Sequence, residues 1–145
     1  MATQGRPSPG EAVKFSAQVD LKLNVTQVVA LVEDASRKGL RDVTVQVTAQ
    51  TIEPPPIGSP VLTGTNRRSI AAEVAGMAGT VAGEGPSERV VDERQIESAV
   101  YSTSGYGGFL EVGTRLMPAR PYFGPARDRY FTESNLGNAI KGHLK

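Results

Sequence analysis

Between residues 53 and 60 the chain reads EPPPIGSP, four prolines in eight positions. Proline has no amide hydrogen, fixes its own φ and pushes the residue before it out of helical space. No helix or strand can run through such a stretch, so it is a stiff connector. Whatever element precedes it must end there, and the chain must start afresh beyond it.

Upstream, residues 1–12 carry Gly5, Pro7, Pro9 and Gly10 with nothing to bury, which predicts a flexible arm. Over residues 13–23 the pattern changes. Val13, Phe15, Ala17, Val19, Leu21 and Leu23 alternate without a break with Lys14, Ser16, Gln18, Asp20 and Lys22. A period of two predicts a strand with one buried face. In residues 26–51, Val28, Val32, Ala35, Gly39, Val43 and Val47 recur at spacings of three and four. That predicts a helix, capped by Thr26, running to about residue 41 and on to 51. Two features oppose the longer reading. VTVQVT at 43–48 alternates like a strand, and Gly39 costs a helix about 1 kcal/mol.

Downstream, residues 67–82 and 89–103 predict two strands of a hairpin around the turn residues Gly79, Gly83, Gly85 and Pro86. Residues 109–112 predict a short strand closed by Gly113, and 118–121 an extended segment. After Pro125 a helix is expected to about Leu144, with Gly137 its weak point. The 145 residues suit one domain with a real core, here residues 13–145 behind the arm.

Composition and charge narrow the chemistry. Cysteine is absent, which removes disulfides, thiolate zinc sites and cysteine nucleophiles. The longest charge-free run is too short for a membrane helix of about 20 residues, and the N-terminus lacks the apolar run of a secretion signal. A soluble, intracellular, loop-rich domain is expected. His143, the one histidine, sits close to the C-terminal end, where chains fray, so a Ser-His-Asp or histidine–metal site is not expected. Asp92 and Glu93 are neighbours that a strand would turn to opposite faces. Residues 105–108, GYGG, lack the Lys-Ser/Thr and the helix start of a phosphate loop and read as a close backbone approach. Arg67 and Arg68 form a joint phosphate clamp only if the chain turns there. The 16 basic and 15 acidic residues are unevenly spread. Residues 115–145 have six basic and two acidic groups, about +4, and residues 1–114 ten and thirteen, about −3. The split suits head-to-side contact between copies or a basic tail on an anionic partner; a solvated helix is the plainer account.

Two segments carry a resemblance. Residues 60–70, PVLTGTNRRSI, and 109–126, FLEVGTRLMPARPYFGPA, are similar to the tail-component, or tail-completion, proteins of long-tailed bacteriophages. The order of elements around them is shared as well. The long alternating stretch at 13–23, the triple proline and the glycine-rich region at 76–95 depart from that pattern. The resemblance implies an α+β fold: an antiparallel sheet of about four strands, one long helix packed on it and a C-terminal helix. It implies a virion protein of the neck, assembled in the host cytoplasm, with no catalysis and no cofactor or metal. Such proteins form rings, commonly hexameric, that terminate the tail tube and join it to the head connector, with DNA passing through the lumen without sequence-specific binding. The partners implied are further copies of the chain, the tail tube protein and a connector or stopper protein.

On that reading Thr63, Gly64, Arg67, Arg68, Gly113, Thr114 and Pro118 belong to the assembly motif. Glu111, Arg115 and Arg120 are positioning charges, and Met117, Tyr122 and Phe123 apolar anchors, within the protomer or against the next. Pro118 and Pro121 bracket Arg120, whose expected partner is the Glu111 carboxylate of the same chain or its neighbour. The stretch 76–95, with Gly83, Gly85, Glu88, Arg89, Asp92, Glu93 and Arg94, is expected as an extended hairpin tip reaching a partner and holding no core position. Other readings are a connector stopper or other neck ring; a small DNA-binding module using Arg67, Arg68, Arg115, Arg120, Arg127 and Arg129 as phosphate contacts; and a small hydrolase.

Overall fold

The computed structural model describes residues 24–60, 64–80, 83 and 89–145. The expected arm at 1–12 and strand at 13–23 lie outside the described residues, as do Thr63, Gly85 and Glu88.

The first element is a helix, α1 (Val25–Ile52), about 42 Å long at 1.5 Å per residue. Asn24, not Thr26, caps it: the Asn24 side chain accepts from the Gln27 amide at 3.3 Å. The helix runs straight through the strand-like 43–48. Val43, Thr44, Val47, Thr48 and Thr51 are all buried. Each buried threonine donates its hydroxyl back to the carbonyl four residues earlier: Thr44 to Leu40 (2.7 Å), Thr48 to Thr44 (2.8 Å), Thr51 to Val47 (2.7 Å). Once helical, these threonines leave no buried hydroxyl unpaired, so their preference for strands no longer decides the matter. Pro54 ends the helix, with Glu53 extended at φ −58°, ψ 157°. The connector then folds back, and the Ser59 amide donates to the Thr51 carbonyl at 2.9 Å.

A one-turn helix, α2 (Thr65–Arg68), follows, then β1 (Ile70–Val74) and β2 (Ser98–Ser102). The two strands pair antiparallel with Ile70 opposite Ser102 and Val74 opposite Ser98. The described sheet has these two strands rather than about four. Residues 109–112 belong to a helix, α3 (Gly107–Val112), that ends at Gly113 with φ +77°. Leu110 points inward while Phe109 and Val112 are exposed. The C-terminal helix is two: α4 (Phe123–Tyr130) and α5 (Glu133–His143). Pro125 sits in the first turn of α4, where its missing amide has no intrahelical role. The break falls at Phe131 and Thr132, where the Thr132 hydroxyl caps α5 by accepting from the Asn135 amide at 3.2 Å. Gly137 lies undisturbed inside α5.

The long helix packs on both strands, on α4 and on α5. Ile70, Leu110 and Tyr122 form a core cluster, with Val100, Met117 and Phe123 packed against it. The described residues of 76–95 are tied to the body of the fold. Val91 is buried, Arg89 donates to the carbonyls of Gly79 and Val74, and the Gly76 amide donates to Glu93. The expectation that this region holds no core position is thus corrected. The described charges at 89–94 are accommodated because several of them bond back to β1 or to each other.

α5 lies along α1 through Asp42 with His143 at 2.7 Å, Gln46 with Asn135 at 2.8 Å, and Gly39 against Ile140. His143 is docked rather than frayed. A Cβ at Gly39 would meet the Ile140 backbone nitrogen at 2.7 Å, which backbone cannot relieve by turning a side chain. Gly39→Ala gains about 1 kcal/mol of helix propensity but adds an overpacking cost of about 1–3 kcal/mol. α5 buries no side chain fully, so it yields first. Amide hydrogen exchange of the Gly39→Ala variant is expected to show loss of protection in 133–143 with β1 unchanged. Equal protection of α5 in both proteins would show that the contact is not tight.

Candidate assembly interface

Asn66 and Tyr122 come from the two motif segments and meet in the interior. Both are buried, Tyr122 completely. The Asn66 side-chain amide donates to the Ser59 hydroxyl (2.8 Å) and to the Tyr122 hydroxyl (2.9 Å). Its carbonyl oxygen accepts from Ser102 (2.7 Å) and Ser104 (2.9 Å). Tyr122 donates in turn to the Gly107 carbonyl at 3.1 Å. All four hydrogen-bonding positions of the asparagine are used, which fixes its orientation. Burial pushes the Tyr122 phenol above its ordinary pKa; the Asn66 bond opposes that rise, and the charge of Glu111 adds to it. Gly107 is where the glycine-rich turn matters. A Cβ there would meet the Ser102 side chain at 2.5 Å and the Tyr122 hydroxyl at 2.9 Å, so the approach is to side chains rather than to backbone. The turn also opens α3, a helix start that the sequence did not suggest.

Glu111 projects from α3 onto the start of α4. Its carboxylate accepts from the amides of Tyr122 (2.7 Å), Phe123 (2.9 Å) and Gly124 (2.8 Å). These are N-terminal amides without intrahelical partners, and a negative charge there also suits the helix dipole. Arg120 is therefore not its partner in the protomer. The Arg120 amide donates to the Leu110 carbonyl at 2.8 Å, and its side chain is exposed. Tyr122 and Phe123 pack with ring centroids 4.4 Å apart at an interplanar angle of 34°, and Met117 packs on the same cluster. These anchors serve the inside of the protomer.

Between α3 and α4 the chain makes a rigid knuckle. Thr114 and Met117 bond both ways, amide to carbonyl, at 2.8 and 3.3 Å, and the Leu116 amide donates to the Thr114 hydroxyl. At Gly113 a Cβ would meet the Ala119 nitrogen at 2.6 Å. Arg115 and Leu116 sit at the tip, and Leu116 is 94% exposed. Val112, 74% exposed, and Phe109 face solvent from α3, and Arg120 is exposed as well. The positions named by the resemblance thus sort into an inner set (Glu111, Gly113, Met117, Tyr122, Phe123) and an outer set (Arg115, Pro118, Arg120, Pro121).

Gly64, at φ +74°, starts α2 rather than a strand. On this turn Arg68 is exposed, whereas Arg67 is partly buried with Nε and Nη2 lacking hydrogen-bond partners. The chain does turn here, and the two guanidinium groups differ in burial. Arg127 pairs with Asp128 at 2.9 Å, and Arg129 lies over the Tyr130 ring at 5.3 Å. In the 76–95 stretch, Arg89 and Glu93 pair at 2.8 Å, the Arg94 amide bonds the Asp92 carboxylate, and Gly83 lies close to the Ile70 carbonyl.

Two buried groups were missed by the sequence reading. Asn66 has no local signal, because its partners lie up to 56 residues away. Glu73 had one, a lone charge in the apolar run IAAEVA. It is 2% exposed, accepts from the Tyr101 hydroxyl (2.6 Å) and the Val90 amide (3.0 Å), and lies 3.9 Å from the Arg89 guanidinium. Burial pushes its pKa up, but the Tyr101 bond, the Val90 and Val91 amides and Arg89 together hold it below the ordinary carboxylate value. Tyr101 is pushed up to about 12 by burial and by the same carboxylate.

Comparison of the chain with family models, with curated proteins and with solved structures returns no match. Among the described residues no group of three or more His, Cys, Asp or Glu is placed to hold a metal ion, and no helix is long and apolar enough to cross a membrane.

Tyr122→Phe is expected to cost about 1–3 kcal/mol, because it strands one Asn66 hydrogen and the Gly107 carbonyl. Asn66→Ala costs more, since four partners lose their bond. Urea midpoints at unchanged slope measure both, and a Tyr122→Phe midpoint equal to wild type would refute the role of the hydroxyl. Glu73, with its folded pKa depressed, contributes stability that is complete above the ordinary carboxylate range and lost as pH falls through the folded value. Tyr101, raised to about 12, contributes below pH ~10 and loses that contribution as pH rises towards 12. Glu73→Gln is therefore expected to be less stable than wild type at pH 7, and the gap is expected to shrink as pH falls below the ordinary carboxylate range and through the folded value. Parallel stability curves would contradict the depressed carboxylate.

Proposed function

We propose that this chain is a neck protein of a long-tailed bacteriophage, forming a homo-oligomeric ring, hexameric on the family pattern, that ends the tail tube and joins it to the head connector. The observation that carries the reading is the knuckle at 112–120. It is fixed in backbone, locked to the core through Leu110 and Glu111, and yet Val112 and Leu116 on it, like Phe109 one turn earlier on α3, are exposed, as are Arg115 and Arg120. Exposed apolar side chains together with arginines on a preordered turn have the makeup of an interface, because little conformational freedom is lost on docking. Ring closure needs two different surfaces per subunit, and the acidic excess before residue 115 against the basic excess after it supports a head-to-side arrangement. The inner motif residues are then the frame that aims the outer ones. Glu111 and Tyr122 need not touch a neighbour to matter for assembly.

Native mass spectrometry and particle averaging of the purified protein, alone and with its tail tube protein, test this. A six-membered ring with an open lumen is expected. Val112→Asp combined with Leu116→Asp is expected to leave helix content unchanged, since both side chains are exposed, and to abolish the ring. A twofold dimer, a closed disc, or intact rings from the double variant would overturn the reading.

A further inference from the structure

The C-terminal part of the chain bends where no residue requires a bend. The Phe131 amide still donates to the Arg127 carbonyl as in a helix, and α5 is helical from Glu133. Only Phe131 (φ −85°, ψ 69°) and Thr132 (φ −114°, ψ 152°) leave helical backbone between α4 and α5. Neither is proline or glycine, and the sequence from Pro125 to Leu144 reads as one helix. The bend is held by local bonds and by docking. The Thr132 hydroxyl accepts from the Asn135 amide, and the Asn135 side chain donates to the Tyr130 carbonyl at 2.7 Å. α5 then lies on α1 through Ile140 at Gly39, His143 at Asp42 and Asn135 at Gln46, with none of its side chains fully buried.

We propose that this bend is one of two states, and that on assembly residues 123–143 straighten into one helix whose α5 half docks on α1 of the next copy. The proposal rests on the oligomer inferred above and names the element that links its subunits. Straightening gives the amides of Thr132, Glu133, Ser134 and Asn135 carbonyls one turn earlier, which the two-residue break denies them. It loses the Thr132 cap and the Asn135–Tyr130 bond. The docking contacts are moved rather than lost, because every copy carries the same α1. Gly39, Asp42 and Gln46 of the neighbour receive Ile140, His143 and Asn135 as they do within one chain. Exchanging identical contacts leaves only a small difference between the two states, and a short hinge held out of its preferred conformation is where such exchanges arise. The straight helix is about 32 Å long at 1.5 Å per residue, so it carries the α5 half about 16 Å beyond α4. Donor and acceptor are different elements, so the exchange passes head to tail from copy to copy, as ring closure requires.

Glu133→Pro separates the two states. Residue 133 is the first of α5, where proline fits, and Thr132 already has the extended backbone that a following proline demands. Inside a continuous helix the same proline removes a hydrogen bond and clashes with the preceding turn. The variant is therefore expected to keep the amide protection of α5 in dilute protein and to raise the concentration of half-assembly, read by native mass spectrometry, at least tenfold. Glu133→Ala, which removes the charge alone, is expected to assemble as wild type does. Thr132→Ala, which removes the cap of the bent state, is expected to lower that concentration about threefold or more. Glu133→Pro assembling like wild type would overturn the exchange and leave the ring reading standing; a wild-type chain that forms no oligomer would overturn both. Should Glu133→Pro lose the protection of α5, cross-linking decides. The chain has no cysteine, so Asp42→Cys copies mixed with His143→Cys copies before assembly and treated with a short bismaleimide join residues 42 and 143 only between copies. That adduct is expected in the assembled protein, and its absence there would refute the exchange.

Discussion

The bond between Asn66 and Tyr122 is the constraint on which the arrangement depends. A buried amide and a buried phenol are each costly unless every polar atom finds a partner. Here each is paired only because five segments arrive together: the connector at Ser59, the turn at Asn66, the end of β2 at Ser102 and Ser104, the glycine turn at Gly107 and the start of α4 at Tyr122. Moving any one of them leaves another group stranded. The network therefore specifies one arrangement more sharply than apolar packing of the neighbouring Ile70 and Leu110 could.

Glu111 adds a second tie of a different kind. One carboxylate gathers three amides at the head of α4 and so sets the angle at which that helix leaves the core. Because α3 and α4 are both held, and Thr114 and Met117 bond each other across the turn, the chain between Gly113 and Pro118 has little freedom, and the turn projects its tip outward. The proposed assembly surface follows from that. Exposed Leu116 and Val112 would otherwise be ordinary surface residues; on a fixed turn they become a shaped patch.

Much of the secondary structure was legible. The 3–4 spacing from Val28 to Val47 located α1, the proline run ended it, and the glycine-separated apolar segments marked the hairpin. Where the reading failed, tertiary partners had outweighed local pattern. The alternation at 43–48 favoured a strand until the threonine hydroxyls found carbonyls within the helix. Residues 109–112 looked like a strand because three of the four are apolar, but only Leu110 has a core to enter. The Arg120–Glu111 pair was reasonable from spacing; the amides of α4 are closer and already lack partners. Charges at 89–94 looked solvated because the buried carboxylate of Glu73 that engages Arg89 and the Val90 amide lies 16 and 17 residues back in the chain.

What the sequence determined by itself was local and covalent. Proline placement ended α1, glycines with positive φ set the turns at Gly64 and Gly113, and hydrophobic period chose the long helix, because each depends on neighbours within a turn or two of the chain. Only the tertiary structure decided which polar groups are buried together and which apolar groups stay outside. That Asn66 is interior, that Glu111 caps a helix, and that Leu116 faces solvent while Met117 does not all depend on residues tens of positions away. A hydrogen bond is made or lost over less than an ångström, and no pattern along the chain carries that distance.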